Sequence, residues 1–505
     1  MAVYLICYAL SYLLARQHVY MLSGLVLITA ALWLYWRDYR ASRDLIHLRG
    51  LFCLAFVGGQ GVSCFKLSRL QTDWAGETWL CFLLAVLAFW LAFEAVQRMA
   101  LRRRENGGRE AGRREHGGRE RGRREHGRRE HDGQGINPGR INSGRFPETG
   151  ATGEFNGSSK RILICMAGIT GVSALAFVFE AVKLGFIPMF SYGVPHAYSY
   201  FHVSGVHYFT VSCVLVPSLF VLYLFSRAAD GGECGNRVFG TAAGRAGTKA
   251  ERSGNPAPPA APDRGLILAA VLTGISILIP LLCVSRFQLI LAVGMAVFTF
   301  ISVSRTFRLK YLLILCVLMV PAYLALTVLR SHSVSYLNGI FEMKNPHTPI
   351  FVTQPYMYIA NNYDNFNCLV EQLGSHSMGL RMLFPVWALT GLKFLNPSLV
   401  SFPIFVTKEE LTTVTLIYDA YYDFGVLGIL LFGLLAGAAC ALLYRLRWRA
   451  CNPVCHVIYA QIAMYMALAF FTTWFSNPST WFYLAVTAAA YWFVGHGFPY
   501  FGRDM

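Results

Sequence analysis

Three arginines at the ends of apolar runs, two aspartates one helical turn apart and a histidine in a glycine-bracketed turn have types and spacings that could do chemistry. Arg286, in CVSRFQLIL, lies between two apolar runs separated by almost no loop, and Arg330 closes the next run in LALTVLR. Arg381 follows Gly379 by two residues, where the chain turns apolar again. A guanidinium fork grips two oxygens of a phosphate or pyrophosphate at once, so the three together point to a lipid-linked diphosphate. A rim arginine snorkelling into headgroups is the other reading of each. Asp419 and Asp423 are four residues apart and share one helical face, with Glu409 and Glu410 ahead of them. They either cap a helix N-terminus, where negative charge is favoured, or pair with the arginines and order an acceptor sugar. His376, in GSHSMGLR, stands five residues before Arg381 and could take the proton of an attacking hydroxyl near pH 7. His376 and Asp423 are thus the catalytic candidates, and Arg286, Arg330, Arg381 and Asp419 the substrate-binding ones. No D-x-D pair occurs in the polar loops, so neither a metal nor another cofactor is expected.

The elements that must position these residues are apolar helices. The chain of 505 residues is 55% hydrophobic and only 14% charged, against about 25% charged in globular proteins. A helix crosses the hydrocarbon with about 20 mostly apolar residues. Such runs fall near 2–15, 19–36, 48–66, 78–98, 161–182, 207–225, 265–283, 287–304, 311–329, 418–444, 455–474 and 479–495. Gly379–Leu395 is a further apolar run. The basic loops WRDYRASRDLIHLR, RMALRRR, SRTFRLK and YRLRWR share one side if twelve spans alternate from a cytoplasmic N-terminus, which makes both termini cytoplasmic. A thirteenth crossing would throw YRLRWR outside, so Gly379–Leu395 is expected as a re-entrant or surface helix. The expected fold class is all-α: a polytopic membrane protein of about twelve spans with one large extracytoplasmic loop. Its parts are N-terminal helices 1–100, an insert 101–160, a helix pair with an outer loop 161–225, a linker 226–264, helices 265–329, a folded cap 330–417 and C-terminal helices 418–505.

The net charge of +17 does not indicate nucleic acid, because the excess lies in the linkers and short loops. The insert 101–160 repeats GRREH, and its glycines and excess of arginine over glutamate read as a disordered basic tether able to meet anionic lipid. Most of the 13 cysteines sit inside apolar runs, which leaves no paired disulfide framework.

The chain resembles the Wzy-type oligosaccharide repeat-unit polymerases, or O-antigen polymerases. The resemblance is carried by GFIPMFSY after a span, SRFQLIL and VLR at outer helix ends, YIANNYDNF in the large loop and the junction TLIYDAYYDFGVLGILLFGLLAG, over about residues 160–495. It implies a bundle related to the GT-C and O-antigen ligase folds, in the bacterial cytoplasmic membrane. It also implies transfer of a growing glycan from undecaprenyl diphosphate to the next lipid-linked repeat, so that donor, acceptor, membrane lipid and a chain-length regulator are the partners. By position Arg286 and Arg330 match arginines that hold the diphosphate in that family. The loop with His196 carries tyrosines where an arginine would be expected, which leaves Arg381 as substitute. The chemistry implied is metal-independent and inverting. An O-antigen-type ligase shares this architecture. A flippase of lipid-linked sugars would show internal repeats and mid-span charges, and neither is seen.

Overall fold

The computed structural model describes residues 1–122, 158–191, 197–230, 264–304, 339–448 and 452–496, with backbone alone for 101–122, 197 and 198. Arg330, His196, the expected span 311–329 and most of both linkers lie outside the described residues. Among the described residues every regular element is helical, and one isolated antiparallel bridge joins Ser68 to Met343.

In chain order the helices are α1 (Ala2–Arg16), α2 (Tyr20–Ser42), α3 (Leu48–Ser63), α4 (Gly76–Gly122), α5 (Ser159–Leu184), α6 (His207–Asp230), α7 (Arg264–Leu282) and α8 (Arg286–Ser304). After these come α9 (Ile350–Gln372), the short α10 (Phe384–Leu389) and α11 (Leu392–Leu395), then α12 (Tyr418–Leu446), α13 (Cys455–Ala467) and α14 (Pro478–Gly495). Seven of them, namely α2, the first part of α4, α5, α6, α7, α8 and α12, are long and apolar enough to cross a membrane. The chain is therefore an all-helical protein with the helices of a polytopic membrane protein. Of the other expected spans, α1, α3 and α13 form apolar helices of 15, 16 and 13 residues, short of the ~20 that a full crossing takes. The apolar runs of α3 and α13 continue past their helices as turns, which is why sequence hydropathy overstates both.

Two findings depart from the sequence reading. The basic insert begins as helix: α4 runs for 47 residues to Gly122. Propagating an already nucleated helix costs far less than starting one, and Arg and Glu are good helix formers. Arg286, for which an exposed rim position was one of two readings, is only 6% exposed.

Side-chain bonds sort the helix ends into two groups. At the basic end Arg49 binds Asp38 at 2.7 and 2.8 Å and Glu94 at 2.7 Å, while Arg447 binds Asp44 at 2.6 Å. At the opposite end lie residues 339–417, described here as the cap, together with the first residues of α4, α8, α12 and α14.

Glycines set the closest helix crossings, as expected where backbones pack without a large hydrophobic drive. A Cβ on Gly24 of α2 would lie 2.4 Å from the Gly61 carbonyl oxygen of α3, and one on Gly437 of α12 would lie 2.2 Å from the Phe89 carbonyl oxygen of α4. Gly437→Ala is expected to destabilise by about 1–3 kcal/mol, read as a lower melting temperature in detergent. Gly274→Ala in α7, where an added Cβ meets nothing within 4 Å, is the matched control and should be neutral or mildly stabilising.

Candidate functional site

The site begins at a break in α12. Its sequence YDAYYDFGVLG would continue as one helix, but Phe424 (φ −139°, ψ 16°) and Gly425 (φ 59°, ψ −142°) leave the helical region. That combination at Gly425 is open only to glycine without strain. The space also requires glycine, since a Cβ on Gly425 would lie 3.0 Å from His376 Nε2, and one on Gly428 would lie 1.9 Å from the Ala420 carbonyl oxygen.

A broken helix leaves carbonyls without their ladder partners, and buried carbonyls need replacements. The cap supplies them: Ser377 N–H donates to the Tyr422 carbonyl and Met378 N–H to the Asp423 carbonyl, each at 3.2 Å. The Asp423 carboxylate, fully buried, then accepts the hydroxyl of Ser377, the Arg381 N–H at 3.1 Å and the Met382 N–H at 2.8 Å. Asp423 therefore anchors the turn 376–382. It faces no open space, and in a reaction it would act as a positioning residue.

Arg381 is the product of that anchoring. Its Nε donates to Asp419 Oδ1 at 2.6 Å, and its guanidinium carbon sits 4.5 Å from the Tyr422 ring centre. Its terminal amino groups have no hydrogen-bond partner among the described residues. Burial works against the charge, but Asp419 outweighs it and holds the guanidinium pKa above the ordinary arginine value. A fixed, ionised fork with two amino groups uncommitted suits an anionic oxygen pair.

His376 is exposed and packs edge-on to Tyr421 with ring centres 6.0 Å apart. Its Nδ1 lies 3.3 Å from the Tyr422 carbonyl oxygen. A carbonyl only accepts, so Nδ1 carries a hydrogen, and in the neutral ring that leaves on Nε2 the lone pair a general base needs. Tyr421 in turn donates to Glu77 Oε1 at 2.8 Å, tying the first turns of α12 and α4 together. His376, Arg381, Asp419 and Asp423, chosen from the sequence, thus stand at one break in one helix.

Arg286 lies elsewhere, at a cleft of about 350 Å³ between the start of α8, the start of α9 and residues 468–471. Apart from Arg286 the cleft is lined by apolar and aromatic residues, among them Phe287, Ile290, Tyr358 and Phe471. The two places are linked through residues 474–476. Phe287 stacks on Trp474 with ring centres 5.6 Å apart, and the Ser476 hydroxyl donates to Met382 Sδ at 3.3 Å.

Gly379–Leu395 forms turns and the two short helices α10 and α11, neither long enough to cross a membrane. Of the cap tyrosines, Tyr358 lines the Arg286 cleft, whereas Tyr356 and Tyr363 are buried. The asparagines of YIANNYDNF, together with Asn367 directly after it, are fasteners. Asn365 Nδ2 donates to the carbonyls of Leu411 and Thr413 at 2.7 and 2.8 Å, and Asn362 accepts Thr413 Oγ1 at 2.6 Å. Asn367 Oδ1 accepts the Ala75 N–H and the Thr78 hydroxyl at 2.9 and 2.7 Å.

One pair was missed. Lys66 Nζ donates to Asp364 Oδ1 at 2.7 Å, and both side chains are nearly inaccessible. The available signal was Lys66 at the cap-side end of an apolar run, where the positive-inside rule disfavours a cation, and Asp364 alone among neutral residues in YIANNYDNF.

The fold and this geometry define a polytopic helical membrane protein whose cap places an arginine–carboxylate–histidine group at a helix break and a second arginine at an apolar cleft. The chain matches no protein-family model, no curated protein and no solved structure.

Proposed function

We propose that this chain is a membrane glycosyltransferase that polymerises undecaprenyl-diphosphate-linked oligosaccharide repeat units into surface polysaccharide. The observation that carries the reading is the Arg286 cleft, an apolar slot with a guanidinium beside it. That combination suits an amphipathic ligand with an anionic head better than it suits a soluble sugar or a protein. The resemblance in SRFQLIL, YIANNYDNF and TLIYDAYYDFG names the lipid as a polyprenyl diphosphate and the cargo as a glycan. The positive-inside rule orients the end bearing Arg37, Arg49, Arg98 and Arg447 to the cytoplasm and the cap to the outer face, and the resemblance implies that the membrane is a bacterial cytoplasmic one. The resemblance likewise implies a GT-C-like or O-antigen ligase-like bundle, with the twelve or so spans expected from the sequence.

In this reading the acceptor hydroxyl oxygen attacks the anomeric carbon of the donor glycan, and the bond from that carbon to the diphosphate oxygen breaks. His376 Nε2 takes the hydroxyl proton. The undecaprenyl diphosphate leaves with the bonding pair, and Arg381 and Arg286 stabilise the negative charge that develops on it. Attack from the face opposite the leaving group inverts the sugar carbon. Asp419 holds the Arg381 fork, and Asp423 holds the turn that presents it.

The test is polymer formation by purified protein in liposomes supplied with lipid-linked repeat units. Arg286→Ala should lower the rate about 10²–10³-fold, the usual loss when one preorganised charge donor is removed. Arg286→Lys should recover only part, since lysine keeps the charge without the fork. Because Arg286 is buried, each variant is first checked for an unchanged melting temperature. A folded Arg286→Ala protein that polymerises at the wild-type rate would retire this role for the cleft.

A further inference from the structure

We propose a second binding site, for a single acidic sugar ring, in the cavity between the α1–α2 turn and the α3–α4 loop. The cavity holds about 240 Å³, below the ~300–1,000 Å³ that takes a drug-sized ligand, so one ring fits and a chain does not. Its inner residues are Lys66, Trp74 and Trp79, each at most 6% exposed, and its opening is formed by the exposed Arg16 and His18. Trp79 is the indole left to meet the apolar face of a pyranose, because Trp74 has Lys66 Nζ 4.3 Å from its ring centre and stacks on Tyr363 with centres 6.3 Å apart. At the opening the Tyr20 hydroxyl donates to Asp73 Oδ1 at 2.6 Å, and His18 Nδ1 lies 2.6 Å from the same hydroxyl.

The lining leaves one cation and one anion for a ligand: Arg16 can receive a carboxylate and Asp73 can accept sugar hydroxyls. Asp73 keeps its charge, since its Oδ1 accepts only from the neutral Tyr20 hydroxyl and its Oδ2 lies 3.4 Å from His18 Nδ1. Lys66 is committed to Asp364 and to the Thr72 carbonyl at 2.6 Å, and lies 4.3 Å from the Trp74 ring centre. Arg16 has no hydrogen-bond or ion-pair partner among the described residues, and it is the group left to receive a ligand carboxylate.

The backbone points to the same place. Six non-glycine residues among those described have a left-handed φ, and two of them, His18 (62°) and Lys66 (50°), line this one cavity. Such conformations cost on the order of 1–3 kcal/mol each and persist where the surroundings impose them, most often at ligand sites. The choice of a sugar over another ring-bearing acid rests on the proposed glycan function. Binding needs no turnover, however, so an inactive chain can pass this test and an active one can fail it.

The experiment is isothermal titration calorimetry of the full-length protein in detergent with glucuronic acid, glucose and inorganic phosphate. Glucuronic acid should bind, with glucose weaker by about tenfold or more, the worth of one charge-assisted hydrogen bond. Arg16→Gln, at an exposed position that folding does not depend on, should bring glucuronic acid down to the affinity of glucose. Absence of glucuronic acid binding, or binding unchanged in Arg16→Gln, overturns the proposal. So does phosphate binding as tightly as glucuronic acid, which would reveal a plain anion site in which the indole plays no part.

Discussion

Arg381→Ala is expected to lower polymer formation in liposomes by about 10²–10³-fold, with Arg381→Lys recovering less than a tenth of the loss. The expectation rests on what the residue's own neighbours leave free. Asp419 takes Nε at 2.6 Å and the Tyr422 ring takes one face of the guanidinium, so the terminal amino groups point the fork at whatever anion enters. Lysine has no Nε hydrogen to keep the Asp419 contact while also reaching outward, and it is a point charge rather than a fork. Truncation to alanine also strands Asp419, which is 5% exposed, and a buried carboxylate without its partner destabilises the fold. Activity and folding must therefore be separated. Arg381→Ala combined with Asp419→Asn removes the stranded charge, and it should restore the melting temperature while leaving synthesis low. A double variant that regains both stability and polymer formation would show that Arg381 serves only to neutralise Asp419.

The same residues show how far the sequence could be read. Spacing alone put Asp419 and Asp423 on one helical face and His376 five residues ahead of Arg381, and the structure brings all four to one place. What joins them was not visible. α12 reads as one continuous span from hydropathy, and the conformations of Phe424 and Gly425 break it and free the two carbonyls that the turn 376–382 caps. Hydropathy is blind to this because Phe424, Gly425 and Val426 are as apolar as any helix interior. The 23-residue α9 was equally hidden. It carries Pro355 near its start and four asparagines, poor helix formers, so its local signals argue against a helix. Besides local bonds from Asn361 to Asn365 and from Asn362 to the Tyr358 carbonyl, its asparagines bond to residues near 75, 411 and 470, which no local window contains. Arg286 was singled out by its place between two apolar runs. Its burial depends on how α8 meets the rest of the bundle, and that is tertiary information.

The longest-range of these hidden contacts is expected to have the largest effect on stability. Asp364 sits 298 residues from Lys66 and is 1% exposed. Its Oδ1 accepts Lys66 Nζ at 2.7 Å and Trp74 Nε1 at 2.8 Å; its Oδ2 accepts Gln71 Nε2 at 2.7 Å and Ser63 Oγ at 3.1 Å. Four donors from the α3–α4 segment thus converge on one carboxylate of α9, the helix that also supplies Pro355 and Tyr358 to the Arg286 cleft. Asp364→Ala should cost about 3–5 kcal/mol, because it leaves an ammonium buried without its counter-charge. The lost neutral hydrogen bonds, at about 0.5–1.5 kcal/mol each, are the smaller part. Asp364→Asn should be milder, since an amide oxygen still accepts from Trp74 or Gln71, yet Lys66 remains unneutralised. The decisive comparison is Lys66→Met with Asp364→Leu. If desolvated charge is the dominant cost, removing both ions should recover most of the stability lost in Asp364→Ala, as apolar replacement of buried pairs often does. Melting of the purified variants in detergent measures all three. A drop of less than about 1 kcal/mol for Asp364→Ala would place the pair among surface-like ion pairs, and α9 would then be held by its asparagines instead.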